Sequence, residues 1–117
     1  MKPVLPLLIL FSVRAYAQTG EELFFTGQYE QAAAEIERVP DAARTASTLN
    51  ILGMAYHRLG RLMEAETAYE RAIKADPNLA APRNNLGAVF YSQRKFSEAD
   101  REFRRAADRD VDSVVLT

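Results

Sequence analysis

Residues 49–77 read LNILGMAYHRLGRLMEAETAYERAIKADP, and this stretch decides the fold. Its apolar and small residues fall at helical spacing: Leu49, Leu52, Gly53 and Tyr56, then Ala65, Tyr69 and Ala72, with Pro77 as a stop. The pattern returns 34 residues later, with Leu86-Gly87 for Leu52-Gly53, Phe90 for Tyr56, Ala99 for Ala65, Phe103 for Tyr69 and Ala106 for Ala72. Six positions held at one offset mark a stacked repeat, each unit a pair of helices that buries its apolar seam on its neighbours.

These residues resemble the tetratricopeptide repeat (TPR). The resemblance implies an all-α fold, an antiparallel helix-pair α-solenoid with right-handed superhelical stacking. It also implies a class of activity: non-catalytic binding of a peptide or helix of a partner protein in a concave groove lined by the first helix of each unit.

The middle unit, residues 46–79, is the fullest match. Its helices are predicted at about 45–59 and 63–75. A Gly inside a helix costs about 1 kcal/mol relative to Ala, so Gly53 needs a packing reason. Close helix approach is expected, with Ala65 as the matching small surface. The next unit, 80–113, has Pro82 in a first helical turn, where a missing amide hydrogen is harmless. Ser97-Glu98-Ala99-Asp100 reads as a capping box for its second helix. Val111 stands where the family has Pro, so that helix is expected to run on or fray.

Residues 18–45 form a partial unit. Gly20, Gly27 and Ala32 lie 33 residues before Gly53, Gly60 and Ala65, and Ile36 falls at the place of Tyr69. Gly27-Gln28-Tyr29 is the expected turn, followed by a helix at about 29–39 that Pro40 stops, earlier than the family pattern. Residues 114–117 read as the start of a further unit or as a tail. The edge around Phe103 and Ala106 is therefore expected to lie uncovered. It would belong to a longer chain, stack on another copy, or be covered by the tail.

Residues 1–17 differ from the rest. Lys2, an apolar run over 4–13 and Ala15-Tyr16-Ala17 make the tripartite pattern of a secretory signal cleaved before Gln18. The run is shorter than the roughly 20 apolar residues that span a bilayer. An exported, periplasmic or secreted protein without a stable membrane span is expected. The alternative is a cytoplasmic protein in which residues 13–26 form a repeat helix. Cleavage is expected to trim the start of the first repeat's opening helix.

The chain has 117 residues, 48% of them hydrophobic, and a net charge of −1. That is enough for one folded domain, and the charge balance argues against a nucleic-acid partner. There is no Cys, and His57 is the only His, so no thiolate or multi-histidine metal site is expected, and no cofactor. No phosphate loop, nucleophile elbow or zinc motif is present, which argues against an enzyme. Glu66 and Glu70, and Glu98 and Glu102, are read as carboxylates on solvent faces, and Arg101, Arg104 and Arg105 as partners in local ion pairs.

By register with the family, the groove residues are Ser47, Asn50, Met54, His57 and Arg58 in the middle unit. In the next they are Asn84, Asn85, Ala88, Tyr91 and Ser92, and in the first Glu21, Phe24 and Phe25. Asn50 and Asn84 are preferred, since they are equivalent and an amide can both donate to and accept from a peptide backbone. The carboxylate clamp of the chaperone-tail binders in this family needs a Lys at the place of Asn50 and an Asn at the place of Met54, so that specificity is not expected. Phe24 and Phe25 are read as packing residues. The uncovered edge around Phe103 is a candidate for self-association.

Overall fold

The computed structural model describes residues 19–115, with side chains through Arg109. The signal reading of residues 1–17 lies outside the described residues. Among the described residues six α-helices follow one another: α1 (Gly20–Phe25), α2 (Tyr29–Arg38), α3 (Ala46–Arg58), α4 (Leu62–Ala75), α5 (Ala80–Ser92) and α6 (Phe96–Val115), with a 3-10 turn at Asp41–Ala43. No strand occurs among the described residues. The fold is the all-α, antiparallel helix-pair solenoid expected from the repeat.

Local chemistry sets the helix ends. Thr19 and Thr45 cap α1 and α3, their hydroxyls accepting from the amides of Glu22 and Thr48 at 3.1 Å. The first helix thus begins at Gly20, past the predicted cleavage point, so cleavage after Ala17 trims none of it. The turns inside the units close alike. The backbone turns left-handed at Gly27 (φ 83°), Gly60 (φ 76°) and Arg94 (φ 61°). The next amide then donates back into the finished helix: Gln28 to Leu23, Arg61 to Tyr56 and Lys95 to Phe90, at 2.8, 2.9 and 2.8 Å. Arg94 bears the side-chain strain that the two glycines avoid. Because that turn delivers the chain into α6 at Phe96, Ser97 is already helical and is not a cap; the expected capping box does not form.

The helix glycines pack against large side chains, not against Ala65 as the sequence suggested. A Cβ on Gly53 would stand 2.5 Å from the Tyr69 ring and one on Gly87 2.6 Å from Phe103, and one on Gly20 would run into Ile36. Each unit therefore seats a bulky residue of its second helix on a glycine of its first. Ala65 is buried elsewhere, in a cluster with Tyr69, Leu86 and Val89 that joins the middle unit to the next. A second cluster, including Leu23, Ile36, Leu52 and Ala72, joins the first unit to the middle one.

The connection after α2 is irregular, as Pro40 foretold, and one arginine holds it. Arg44, its side chain 9% exposed, donates to the carbonyls of Val39 and Glu37 at 2.7 Å each and pairs with Asp41 at 2.6 Å. It satisfies carbonyls that the end of α2 leaves without helical partners. At the other end, α6 runs on to Val115 with no proline to stop it, through position 114.

Neighbouring helices in sequence pack together, and the first helices of successive units also touch, α1 on α3 and α3 on α5. Among the described residues the second helices, α2, α4 and α6, make no such contact with one another. First helices in contact and second helices splayed give the stack an inner and an outer side.

Candidate functional site

The inner side is built by α1, α3 and α5. Asn50 on α3 and Asn85 on α5, both half-buried, are joined across the two units by a hydrogen bond, Asn85 Nδ2 donating to Asn50 Oδ1 at 2.9 Å. Asn50 Nδ2 also points at Met54 Sδ, 3.8 Å away. The repeat register pairs Asn50 with Asn84, but the geometry joins it to Asn85, one residue on. Asn84 itself is exposed. The hydrogen bond uses one acceptor and one donor of the two amides, and Asn85 Oδ1 makes no hydrogen bond among the described residues.

The other predicted residues lie on α1, α3 and α5 as well. His57 is half-buried, and burial, with the charge of Arg58 beside it, holds its imidazole below the usual histidine range. Arg58 is exposed, its guanidinium 5.9 Å from the centre of the Tyr29 ring. Ala88 is half-buried and its carbonyl accepts from the Ser92 hydroxyl at 3.0 Å. Tyr91 is 62% exposed and meets Phe96 edge-to-face at 5.2 Å. Ser47 and Glu21 are exposed. Of the first unit's aromatics, Phe24 is buried against Tyr29, centres 5.3 Å apart, while Phe25 is 69% exposed. The face thus offers amides, aromatic rings and one guanidinium, the chemistry of hydrogen-bonded and stacked recognition.

Sequence reasoning misplaced one charged group. Glu102, expected on a solvent face, is 8% exposed and pairs with Arg83 at 3.4 Å and Arg105 at 3.1 Å. Arg104 pairs with Asp100 at 2.9 Å, so two of the three clustered arginines do form local ion pairs. The hint for Glu102 was its position: it stands at the place of Ala68, a core residue of the middle unit. The edge expectation also needs correction, since Ala106 is buried at 4% and only Phe103, at 37%, is open. No group of three or more His, Cys, Asp or Glu residues able to hold a metal occurs among the described residues, and none of the described helices is long and apolar enough to cross a membrane.

Known proteins share this geometry. Residues 53–93 match the family described as TPR repeat, and residues 79–109 that described as tetratricopeptide repeat. The uncharacterized protein ycf37 of Porphyra purpurea is 31% identical over 65 residues, which are 56% of this chain and 38% of that protein. MamA MSR-1 C2 superimposes with a TM-score of 0.76 at 23% identity, over 80% of this chain and 55% of that one. The second TPR of Spaghetti (RPAP3), solved with an HSP90 peptide of sequence SRMEEVD, gives a TM-score of 0.71 at 26% identity, over 75% of this chain and 77% of that one. The chain spans about half the length of the MamA structure and well under half that of ycf37. The two overlapping matches over residues 53–109, the 34-residue offset and the glycine-seated helix pairs agree in likening this stretch to tetratricopeptide repeats.

Proposed function

We propose that this chain is a non-catalytic protein-binding module that holds an extended peptide or a helix of a partner along the face of α1, α3 and α5. The observation that carries this reading is the Asn50–Asn85 bridge at 2.9 Å, with exposed Asn84 and Tyr91 on the helix of Asn85 and exposed Arg58 on that of Asn50. Fixed amides on a rigid helical face can bind a backbone with little ordering cost. That the structurally similar RPAP3 repeat was solved with a peptide bound supports peptide binding. An acidic chaperone tail is not the ligand we expect, because Asn50 and Met54 stand where a carboxylate clamp needs Lys and Asn.

The test is selection of peptides from a display library on the full chain, followed by affinity measurement on variants. Combined Asn50→Ala and Asn85→Ala changes should weaken a selected peptide at least tenfold while circular dichroism shows the same helicity. Undiminished binding would sink the groove assignment.

A second reading rests on Phe103, which is 37% exposed at the outer end of the stack, with Phe96 at 55% nearby on the same helix. Self-association through this edge should appear as concentration-dependent sedimentation that Phe103→Ser abolishes; a strict monomer at high concentration argues against it. Export is our reading of residues 1–17 alone, and N-terminal sequencing of the exported protein should begin at Gln18.

A further inference from the structure

Equivalent positions on the outer helices are filled differently. On α6, Glu102 is buried and paired with Arg83 of α5 and with Arg105. Between α2 and α4 the equivalent position is Ala68, and Thr67 stands at the place of Arg101. These smaller side chains leave an open cleft of about 310 Å³. Its floor is apolar, made by Leu52 and Ala68, both essentially buried, and Met63, 79% exposed, stands beside them. Glu37, Tyr56, Glu64, Thr67 and Arg71 supply polar lining, the Arg71 guanidinium being held by Asp41. The Tyr56 hydroxyl donates to Glu37 at 3.3 Å.

The charges around the cleft leave one carboxylate over. Arg44 pairs with Asp41 and with Glu37 at 3.6 Å, Arg71 with Asp41 at 2.9 Å, and Arg61 with Glu30 at 3.3 Å. Glu64, in the first turn of α4, has no ion pair among the described residues. Burial first, then the charge and hydrogen bond of Glu37 and the charge of Glu64, against the opposing charge of Arg61, push the Tyr56 phenol above its usual range.

We propose that this outer cleft receives one lysine or arginine side chain of a partner protein, its methylene stem on Leu52, Ala68 and Met63 and its cationic head at Glu64 and Glu37. Long cationic side chains lay an apolar stem along apolar surface and keep the charged end in polar surroundings. The volume lies near the lower end of ligand sites, roughly 300–1,000 Å³, and suits one side chain better than a larger ligand. Leu52 and Tyr56 are each two residues, about 200° of helix, from Asn50 and Met54 on α3, so the cleft is separate from the inner face.

The test is a titration of the isotopically labelled full chain with four blocked pentapeptides, identical but for a central Lys, Arg, norleucine or Glu, followed by amide NMR shifts. The Lys and Arg peptides should shift the amides of Tyr56, Glu64 and Thr67. The norleucine peptide should bind at least fivefold more weakly, and the Glu peptide more weakly still. Glu64→Gln should cut Lys-peptide affinity at least threefold, and Glu37→Gln, a second exposed-carboxylate change, should also weaken it. Equal affinity for norleucine and lysine, no effect of either substitution, or shifts centred on Asn50 and Asn84 would overturn the proposal.

Discussion

The middle unit and the unit after it hold the same packing residues at the same offset, yet Tyr69 is 1% exposed and Phe103 37%. Both rings lie on a helix glycine, Gly53 or Gly87. The difference comes from the other side. Tyr69 shares a buried cluster with Leu86 and Val89 of α5, whereas no described helix follows α6 to cover Phe103. In a stacked array, burial belongs to the contact between units as much as to the residue. Equivalent residues should therefore respond very differently to the same substitution.

The widest gap is expected on removing the rings. Tyr69→Ala should cost about 3–5 kcal/mol, the usual range for deleting a fully buried aromatic ring, and Phe103→Ala less than half of that. Urea denaturation of the two variants measures both, and equal losses would show that the outer edge is covered in solution. Gly53→Ala comes next. Its new methyl group meets a ring held on both sides, so overpacking of about 1–3 kcal/mol should outweigh the gain in helix propensity. Gly87→Ala should cost less, because the half-open Phe103 can swing away; thermal melting of the pair checks the order.

The turns supply a smaller contrast of opposite sign. Arg94 occupies the left-handed position that Gly60 fills in the middle unit. Arg94→Gly should stabilise the chain by about 0.5–1 kcal/mol, whereas Gly60→Ala should destabilise it by about 1–2 kcal/mol, since a Cβ there crowds the backbone. The smallest effect concerns charge. Glu66 and Glu70 face each other one turn apart on α4, where α6 has the attractive pair Asp100–Arg104. Burial, Glu66 and Glu102 raise the Glu70 carboxyl above its ordinary value of 4.5. A carboxyl raised on folding binds its proton more tightly in the folded state, so its ionisation costs stability at neutral pH, and that cost fades as pH falls through its folded value. Glu70→Gln should accordingly raise the melting temperature at pH 7 and leave it unchanged well below pH 4.5, where both states are protonated.

Much of the architecture was legible because it rests on short-range rules. Gly27 and Gly60 announced their turns, Pro40 and Pro77 announced helix ends, and the periodic Leu52, Tyr69 and Ala72 announced a buried seam. Misreadings arose where two segments far apart in sequence meet. Gly53 was matched with Ala65 on size alone, whereas sixteen residues on, Tyr69 lies across it. Glu102 looked solvated because Arg83, its partner, lies on another helix. Asn50 was paired with Asn84 by counting repeats, but the packing of α3 on α5 brings Asn85 within 2.9 Å. The outer cleft had no marker in the sequence, because a cleft follows from what neighbouring helices fail to fill.

By itself the sequence determined the repeat, the helix pairs, most of their boundaries and the absence of disulfide chemistry. Those properties depend on local propensity and on a 34-residue period that any single unit displays. Only the tertiary structure decided which side chain lies on each glycine, which amides bridge α3 to α5, and where the outer cleft opens. These are set by distances of a few ångströms between segments that the chain brings together only on folding, and residue type alone does not specify them.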